Sequence, residues 1–250
     1  DGPNGSTSFV DSSPNNISMS AYGNTNISTN QSKFGGSSAY FDGNGDGIVV
    51  NAQSSSLFSF NADFTMEAWV RFSSLPSNGQ AAGIFVARGS SAGNSSFQFL
   101  YGNNNGTYRI IGTLSCGGTD YDLSWNSPTP SVDTWYHIAM VRSTNTVRVY
   151  WNGTEIDSPQ TVVGTTNTPS VNPTIGYRGG QYNDLYLHGY IDELRITKGV
   201  ARYTTNFDVP TSPYASQGPV SININRINTN GLTIGASKLS NNTVSNNYQG

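Results

Sequence analysis

The sequence predicts an all-β protein built as two packed antiparallel sheets. Three observations carry that prediction. Short segments with alternating apolar residues recur along most of the 250 residues. Between them lie clusters of Asn, Ser, Thr and Gly, which favour turns over helix interiors. No segment has a persuasive helical period. A dozen or so short strands in one chain bury their alternating faces best when two sheets pack on each other.

The stretch FTMEAWVRF at 64–72 puts Phe64, Met66, Ala68, Val70 and Phe72 on one face. A Pro/Gly turn leads to a strand at 84–87. Strands at 97–101 and 108–114 flank GNNNG at 102–106, a hairpin signal. Strands at 135–142 and 147–151 are joined by 143–146, and Asn152-Gly153 turns tightly into 154–156. Further strands fall at 174–177 and 187–196, and 198–203 suits one short turn of helix. After Pro213 the texture changes. Residues 216–250 read as a separate, Asn-rich arm or linker with some β alternation. A lone hairpin is marginal by itself, so the arm is expected to pair with a neighbouring chain and make a homo-oligomer.

Composition excludes several partners. Only 11% of residues are charged and the net charge is −3, so no basic cluster is present to displace counterions from nucleic acid. No apolar run approaches transmembrane length, which argues against membrane insertion. A polar, low-charge chain bearing periodic aromatics suits an extracellular or virion-surface location. The single cysteine, Cys116, precludes an intrachain disulfide and reads as a small buried hydrophobe.

The stretch FDGNGDGIV at 41–49 has oxygen side chains at Asp42, Asn44 and Asp46, the front half of a calcium loop. An EF-hand needs flanking helices and an acid at its twelfth position. Here the flanks are β-like and that position is Gln53. The better reading is a turn between strands, with Gly43, Gly45 and Gly47 supplying positive φ and Asp or Asn side chains bonding the backbone.

Six phrases in order carry a resemblance: FVDSS at 9–13, KFGGSSAYFDG at 33–43, FTMEAWV at 64–70, TWYHIAMVR at 134–142, VYWNG at 149–153 and GYIDELRI at 189–196. Together they resemble the laminin-G-like (LamG) domains of the concanavalin A-like lectin/glucanase superfamily. The flavour is that of bacteriophage and bacterial surface proteins, which often end in a phrase like GVARYTTNF at 199–207 followed by Pro210. The resemblance covers about residues 6–215 and sets the domain at 1–215. Such domains usually open with an apolar strand just before a segment like 1–6, and this sequence does not show that strand. The resemblance implies a jelly-roll sandwich of two curved antiparallel sheets, and binding more than catalysis. It also implies a structural Ca2+ near the sandwich edge, for which Asp1, Asp11, Asp42, Asp46 and Asp192 are the candidate oxygen donors.

Glucanases of that superfamily carry an E-x-D-x-x-E strand, holding one carboxylate as nucleophile and another as acid. The nearest string, HGYIDEL at 188–194, lacks that spacing. Glu67, Glu155 and Asp157 have no second Glu at i, i+2 or i+4, and Glu67 suits a structural role beside Arg71 or His137. His137 and His188 have no Ser or Cys partner in their sequence context. The chain is therefore expected not to be an enzyme.

Sugar sites stack aromatic rings on C–H faces and bond hydroxyls with amides and acids. Loops expected at 101–105, 119–126 and 177–186 combine both kinds of residue. Their candidate binding residues are Tyr121, Trp125, Arg178, Tyr182, Asn183, Asp184 and Tyr186. Trp69, Trp135 and Trp151 are expected in the core. The expected function is a non-catalytic glycan-binding or adhesive module on a virion appendage or capsid surface. Its partners would be a cell-surface glycan and other virion or surface-protein subunits. The alternatives are a purely structural virion fibre or decoration subunit, and a bacterial extracellular adhesion domain.

Overall fold

The computed structural model of the chain describes residues 2–214. The predicted arm at 216–250, and Asp1, lie outside the described residues. The early strands are β1 (Met19–Tyr22), β2 (Asn26–Ser28), β3 (Ser38–Asp42), β4 (Gly47–Val50), β5 (Phe64–Phe72) and β6 (Ala81–Ala87). The middle ones are β7 (Phe97–Asn104), β8 (Thr107–Cys116), β9 (Thr119–Asn126), β10 (Trp135–Ser143) and β11 (Thr146–Trp151). Four more follow: β12 (Thr154–Glu155), β13 (Gln160–Thr161), β14 (Thr174–Ile175) and β15 (His188–Lys198).

The first sheet runs β1-β4-β14-β6-β7-β8-β9 and the second β12-β11-β10-β5-β15-β3-β2, with β13 also on β11. Described pairings are antiparallel, as in the registers of β10 with β5 and β7 with β8. The chain switches sheets repeatedly, as from β3 to β4 and from β5 to β6. That switching lets both sheets contribute to one core, and it is the jelly-roll sandwich expected. Phe41, Phe60, Phe64, Phe72, Phe97 and Phe99 are fully buried there. Apolar burial of this extent is the main term holding the sandwich together.

Hairpin chemistry decides local geometry. Asn105 and Gly106 both have positive φ, +51° and +80°, as a two-residue type I′ turn requires. The strands therefore run through Asn104 and resume at Thr107, and the loop is shorter than the sequence suggests. Three expectations are corrected. Residues 119–126, read as a loop, form β9. Residues 198–203 make no helix; β15 ends at Lys198 and the chain then crosses the outer face of the second sheet. Trp69 and Trp135 face outward from the second sheet rather than into the core, since neither belongs to the inner cluster.

That outer face explains why β5 is buried on both sides. Phe64, Met66, Ala68, Val70 and Phe72 face the core as predicted. Thr65, Glu67 and Trp69 point the other way, yet are 0%, 1% and 3% exposed. Tyr203 and Phe207 pack on Ala139, Val141 and Tyr150 of the same outer face, and Lys33 sits 3.9 Å over the Trp69 ring.

The 41–47 turn carries the chain from the second sheet to the first. Asp46 is fully buried. Its Oδ1 accepts from the Asn24 N–H at 2.6 Å and its Oδ2 from the Asp42 N–H at 2.8 Å. Asp42 Oδ1 accepts from the Asn44 N–H at 2.7 Å. Gly43 and Gly45 take positive φ, +84° and +75°, as expected. Gly47 does not; it lies in β4, where a Cβ would meet the Tyr177 ring at 2.0 Å. Replacing Asp46 with alanine strands two N–H donors. The expected loss is about 2–4 kcal/mol, read as a lower urea midpoint with unchanged m-value.

Candidate functional site

The loop at 177–187, between β14 and β15, is built around one ion pair. Arg178 and Asp184 exchange backbone hydrogen bonds at 2.9 and 3.1 Å. Their side chains add a bidentate pair, Nε to Oδ1 at 2.7 Å and Nη2 to Oδ2 at 2.5 Å. The Arg178 guanidinium also lies 4.3 Å from the Tyr182 ring centroid. Asn183 and Leu185 adopt positive φ, +48° and +54°. The Leu185 conformation is held by its carbonyl, which accepts from the Gly83 N–H at 2.7 Å. Non-glycine residues in this region store strain and cluster at binding sites.

Tyr186 donates its hydroxyl to the Asn183 carbonyl at 2.7 Å. Its ring lies parallel to Tyr177, with centroids 5.7 Å apart, and Tyr177 in turn stacks on Tyr22 of β1 at 5.1 Å. Burial pushes the Tyr177 phenol up to about 12, so it stays a neutral hydrogen-bonding group.

Tyr186 borders a cleft of about 410 Å³. Asp42 and Gly43 form one wall, residues 74–77 and 80–82 a second, and residues 184–186 with His188 the rest. His188 Nδ1 lies 2.9 Å from the Ser74 hydroxyl. The cleft thus presents a phenol ring, two carboxylates, an imidazole, hydroxyls and the Gln80 amide. That mixture bonds hydroxyl groups and stacks on an apolar ring face. Sequence reasoning placed Asp184 and Tyr186 in a sugar site and Asp42 in a calcium site, read His188 as lacking a Ser partner, and missed Ser74 and Gln80. Ser74 and Gln80 share one segment, and His188, 114 residues further on, joins them through its 2.9 Å contact with Ser74.

The remaining predicted residues divide. Arg178, Tyr182, Asn183, Asp184 and Tyr186 share the one loop. Tyr121 and Trp125 do not join them. They lie on β9, at the opposite edge of the first sheet from β1, and alternate inward with Leu123. Trp125 is fully buried and donates its Nε1–H to the Ser158 carbonyl at 3.1 Å, so its ring has no face for a ligand. Tyr121 is half-buried against the same core.

Of the five acids expected to hold calcium, Asp1 lies outside the described residues and the other four occupy three separate places. Asp11 accepts from the Ser13 N–H and hydroxyl and the Ile17 N–H. Asp192 accepts from the Lys33, Phe34 and Glu193 N–H groups. Asp42 and Asp46 are neighbours in the 41–47 turn. Among the described residues no three His, Cys, Asp or Glu side chains come together in a metal-holding group. The oxygens of Asp11, Asp42, Asp46 and Asp192 accept hydrogen bonds mainly from backbone N–H groups.

Glu67, itself buried with His137, is the centre of a second polar cluster. It accepts from Arg195 at 2.9 Å and the Tyr203 hydroxyl at 2.9 Å, and it meets His137 Nε2 and the Tyr214 hydroxyl at 3.2 Å each. Arg71 pairs with Asp133 instead, so of the two expected neighbours only His137 touches Glu67. None of Glu67, Glu155 and Glu193 lines the cleft. Among the described residues no carboxylate pairs with His188.

Two face-packed sheets with a polar, aromatic cleft at one end define a lectin-like sandwich. The chain belongs to the concanavalin A-like lectin/glucanases superfamily: the Laminin_G_3 family model matches residues 42–202. Solved structures share the fold at low identity. Domain 4 of AbnA, a GH43 extracellular arabinanase from Geobacillus stearothermophilus in complex with arabinotriose, is 19% identical with a TM-score of 0.51, over 74% of this chain and 84% of that one. The enzymatically active domain of bacteriophage CBA120 tailspike protein 2 is 15% identical with a TM-score of 0.53, over 71% of this chain and 28% of that one. A botulinum neurotoxin type C structure is 15% identical with a TM-score of 0.54, over 80% of this chain and 46% of that one. That toxin enters cells dependent on interaction with two ganglioside molecules. The chain spans less than half the length of the tailspike and toxin chains. No curated protein sequence matches it. Among the described residues no helix is long and apolar enough to cross a membrane.

Proposed function

We propose that this chain is a non-catalytic carbohydrate-binding module whose ligand occupies the cleft beside Tyr186. The observation that carries this reading is the convergence of Tyr186, Asp184, His188, Ser74, Gln80 and Asp42 on one open cleft. The superfamily, and the arabinotriose and gangliosides named for two chains of like fold, support a sugar as the ligand class. Both cleft carboxylates are engaged by the protein itself, Asp184 in the bidentate pair with Arg178 and Asp42 with the Asn44 N–H, which supports binding without hydrolysis. On this reading the module is adhesive, displayed on a virion appendage, capsid or other extracellular surface, and captures a cell-surface glycan.

A glycan array with the purified chain tests the reading. Tyr186→Ala is expected to weaken the best ligand about tenfold, the loss of roughly 1.4 kcal/mol of ring contact. Unchanged affinity in that variant refutes the site. An array without any bound glycan favours a structural virion subunit instead.

A further inference from the structure

Five Asn-Gly pairs lie among the described residues, at Asn4, Asn44, Asn78, Asn105 and Asn152. Asparagine is a thermolabile residue, and glycine after it opens one particular reaction. The glycine backbone nitrogen can attack the side-chain amide carbon, because glycine has no Cβ to obstruct the approach. The following residue is the same in all five pairs, so local structure decides which of them reacts. Ring closure needs a side-chain amide free to turn toward the main chain. It also needs a glycine N–H that no acceptor holds.

Four of the pairs are held. Asn4 Oδ1 accepts from the Thr29 N–H at 3.0 Å, and the Gly5 N–H donates to the Ile27 carbonyl at 2.7 Å. Asn78 and Asn105 lock each other: Asn78 Oδ1 accepts from the Asn105 N–H at 2.6 Å, and Asn78 Nδ2 donates to Asn105 Oδ1 at 3.4 Å. Their glycine N–H groups are also engaged, Gly79 with the Asn103 carbonyl at 2.9 Å and Gly106 with Asn103 Oδ1 at 3.0 Å. Asn152 Oδ1 accepts from the His137 N–H at 2.9 Å, and Gly153 is buried. Asn44 differs on each count. It is exposed, and a Cβ on Gly45 would meet open space. Among the described residues neither the Asn44 side-chain amide nor the Gly45 N–H has a hydrogen-bond partner. The Asn44 N–H, donated to Asp42 Oδ1 at 2.7 Å, fixes the backbone and leaves the amide free.

We propose that Asn44-Gly45 is a self-modifying site, deamidated by water while the chain is folded, and the first of the five pairs to react. The Gly45 nitrogen bonds to Asn44 Cγ and closes a succinimide ring. The Cγ–Nδ2 bond breaks, and ammonia leaves with the proton of the Gly45 N–H. Water then opens the ring. Attack at Cγ gives aspartate at position 44; attack at the backbone carbonyl gives isoaspartate, with the main chain routed through Cβ and Cγ. Water is the only co-reactant, and nothing is oxidised or reduced. Asp42 and Gly43, immediately before Asn44, form one wall of the cleft that Tyr186 borders. Either product adds a carboxylate beside that wall, in a turn that already carries Asp42 and Asp46. Isoaspartate also lengthens the turn by one backbone carbon.

The test is site-resolved mass spectrometry of peptides from the full chain, incubated at mildly alkaline pH once folded and once in denaturant. Unincubated chain, digested in the same way, corrects for reaction during digestion. In denaturant the five pairs are expected to react at similar rates. In the folded chain Asn44 is expected to lead the other four by at least about tenfold, since each of those must first break a native hydrogen bond. The product is read as the mass gained when NH2 is replaced by OH. Aspartate and isoaspartate forms of that peptide are expected together, because direct hydrolysis of the amide gives aspartate alone. Asn44→Gln loses no hydrogen bond of the side chain and is expected to keep its amide, since glutamine must close a larger ring. Intact Asn44 in the folded chain, a lead of the same size in denaturant, or aspartate without isoaspartate overturns the proposal. The measurement needs no ligand, so its result is independent of the carbohydrate reading above.

Discussion

Glu67→Ala is expected to destabilise the fold by about 3–5 kcal/mol, the cost of removing one partner from a buried charge pair. A typical domain has only about 5–15 kcal/mol in total, so the melting temperature should fall by roughly 10 °C or more. The reason lies in register. Arg195 stands beside Glu67 because β15 carries a bulge between Asp192 and Arg195, where Glu193 has φ +50°. The extra residue turns Arg195 onto the outer face, where strict alternation from Asp192 would have put Leu194. Glu67 then accepts from Arg195, His137, Tyr203 and Tyr214, tying two strands to the segment that follows β15. Alanine leaves the buried His137 and the half-buried Arg195, Tyr203 and Tyr214 without that acceptor.

The same cluster sets an acid limb. Burial alone would raise the Glu67 carboxyl. Hydrogen bonding from His137 and the charge and hydrogen bonds of Arg195, with Tyr203, outweigh it and hold the group below its usual 4.5. A lowered carboxyl stabilises fully above the unfolded-state value and loses its contribution as pH falls through the folded-state value. The stability difference between the parent chain and Glu67→Gln should therefore be constant above about pH 4.5 and shrink below it. Denaturant midpoints measured across pH 3–7 check this; a difference that does not change with pH refutes it.

Trp125→Ala is expected to cost about 3–5 kcal/mol, the range for deleting a large buried aromatic. The ring packs where a Cβ on Gly112 would come within 3.3 Å of it, and its N–H holds the Ser158 carbonyl. The variant should lose stability while keeping glycan affinity at temperatures where it stays folded. Tyr186→Ala should do the reverse. Calorimetry and binding measured on the same samples decide it; lost affinity with unchanged stability in Trp125→Ala returns β9 to the binding site.

Much of the fold was legible because strand alternation is a local signal. The face shared by Phe64, Met66, Ala68, Val70 and Phe72 needed no neighbour to be read, and Asn105-Gly106 marked its own turn. The 41–47 turn was legible as a turn because Asp42 and Asp46 can bond nearby backbone, as they do at Asn44 and Asp42; the Asp46 bond to Asn24 was not legible. The cluster of Arg178, Tyr182, Asn183, Asp184 and Tyr186 was legible because the loop is continuous in sequence.

Tertiary structure alone decided what each side chain faces. Trp125 and Tyr186 are both aromatics amid Asn, Asp and Ser, and nothing local tells a buried ring from an open one. Sheet order put β9 at the edge opposite β1, and the strand pleat turned Trp125 inward. The β15 bulge, invisible in composition, matched Arg195 with Glu67. The approach of β3, the segment after β5 and the 177–187 loop made the cleft. The sequence by itself determined strands, turns and family, since these depend on residues a few positions apart. The sites depend on groups brought together across the sandwich, and only long-range packing decides which of them meet.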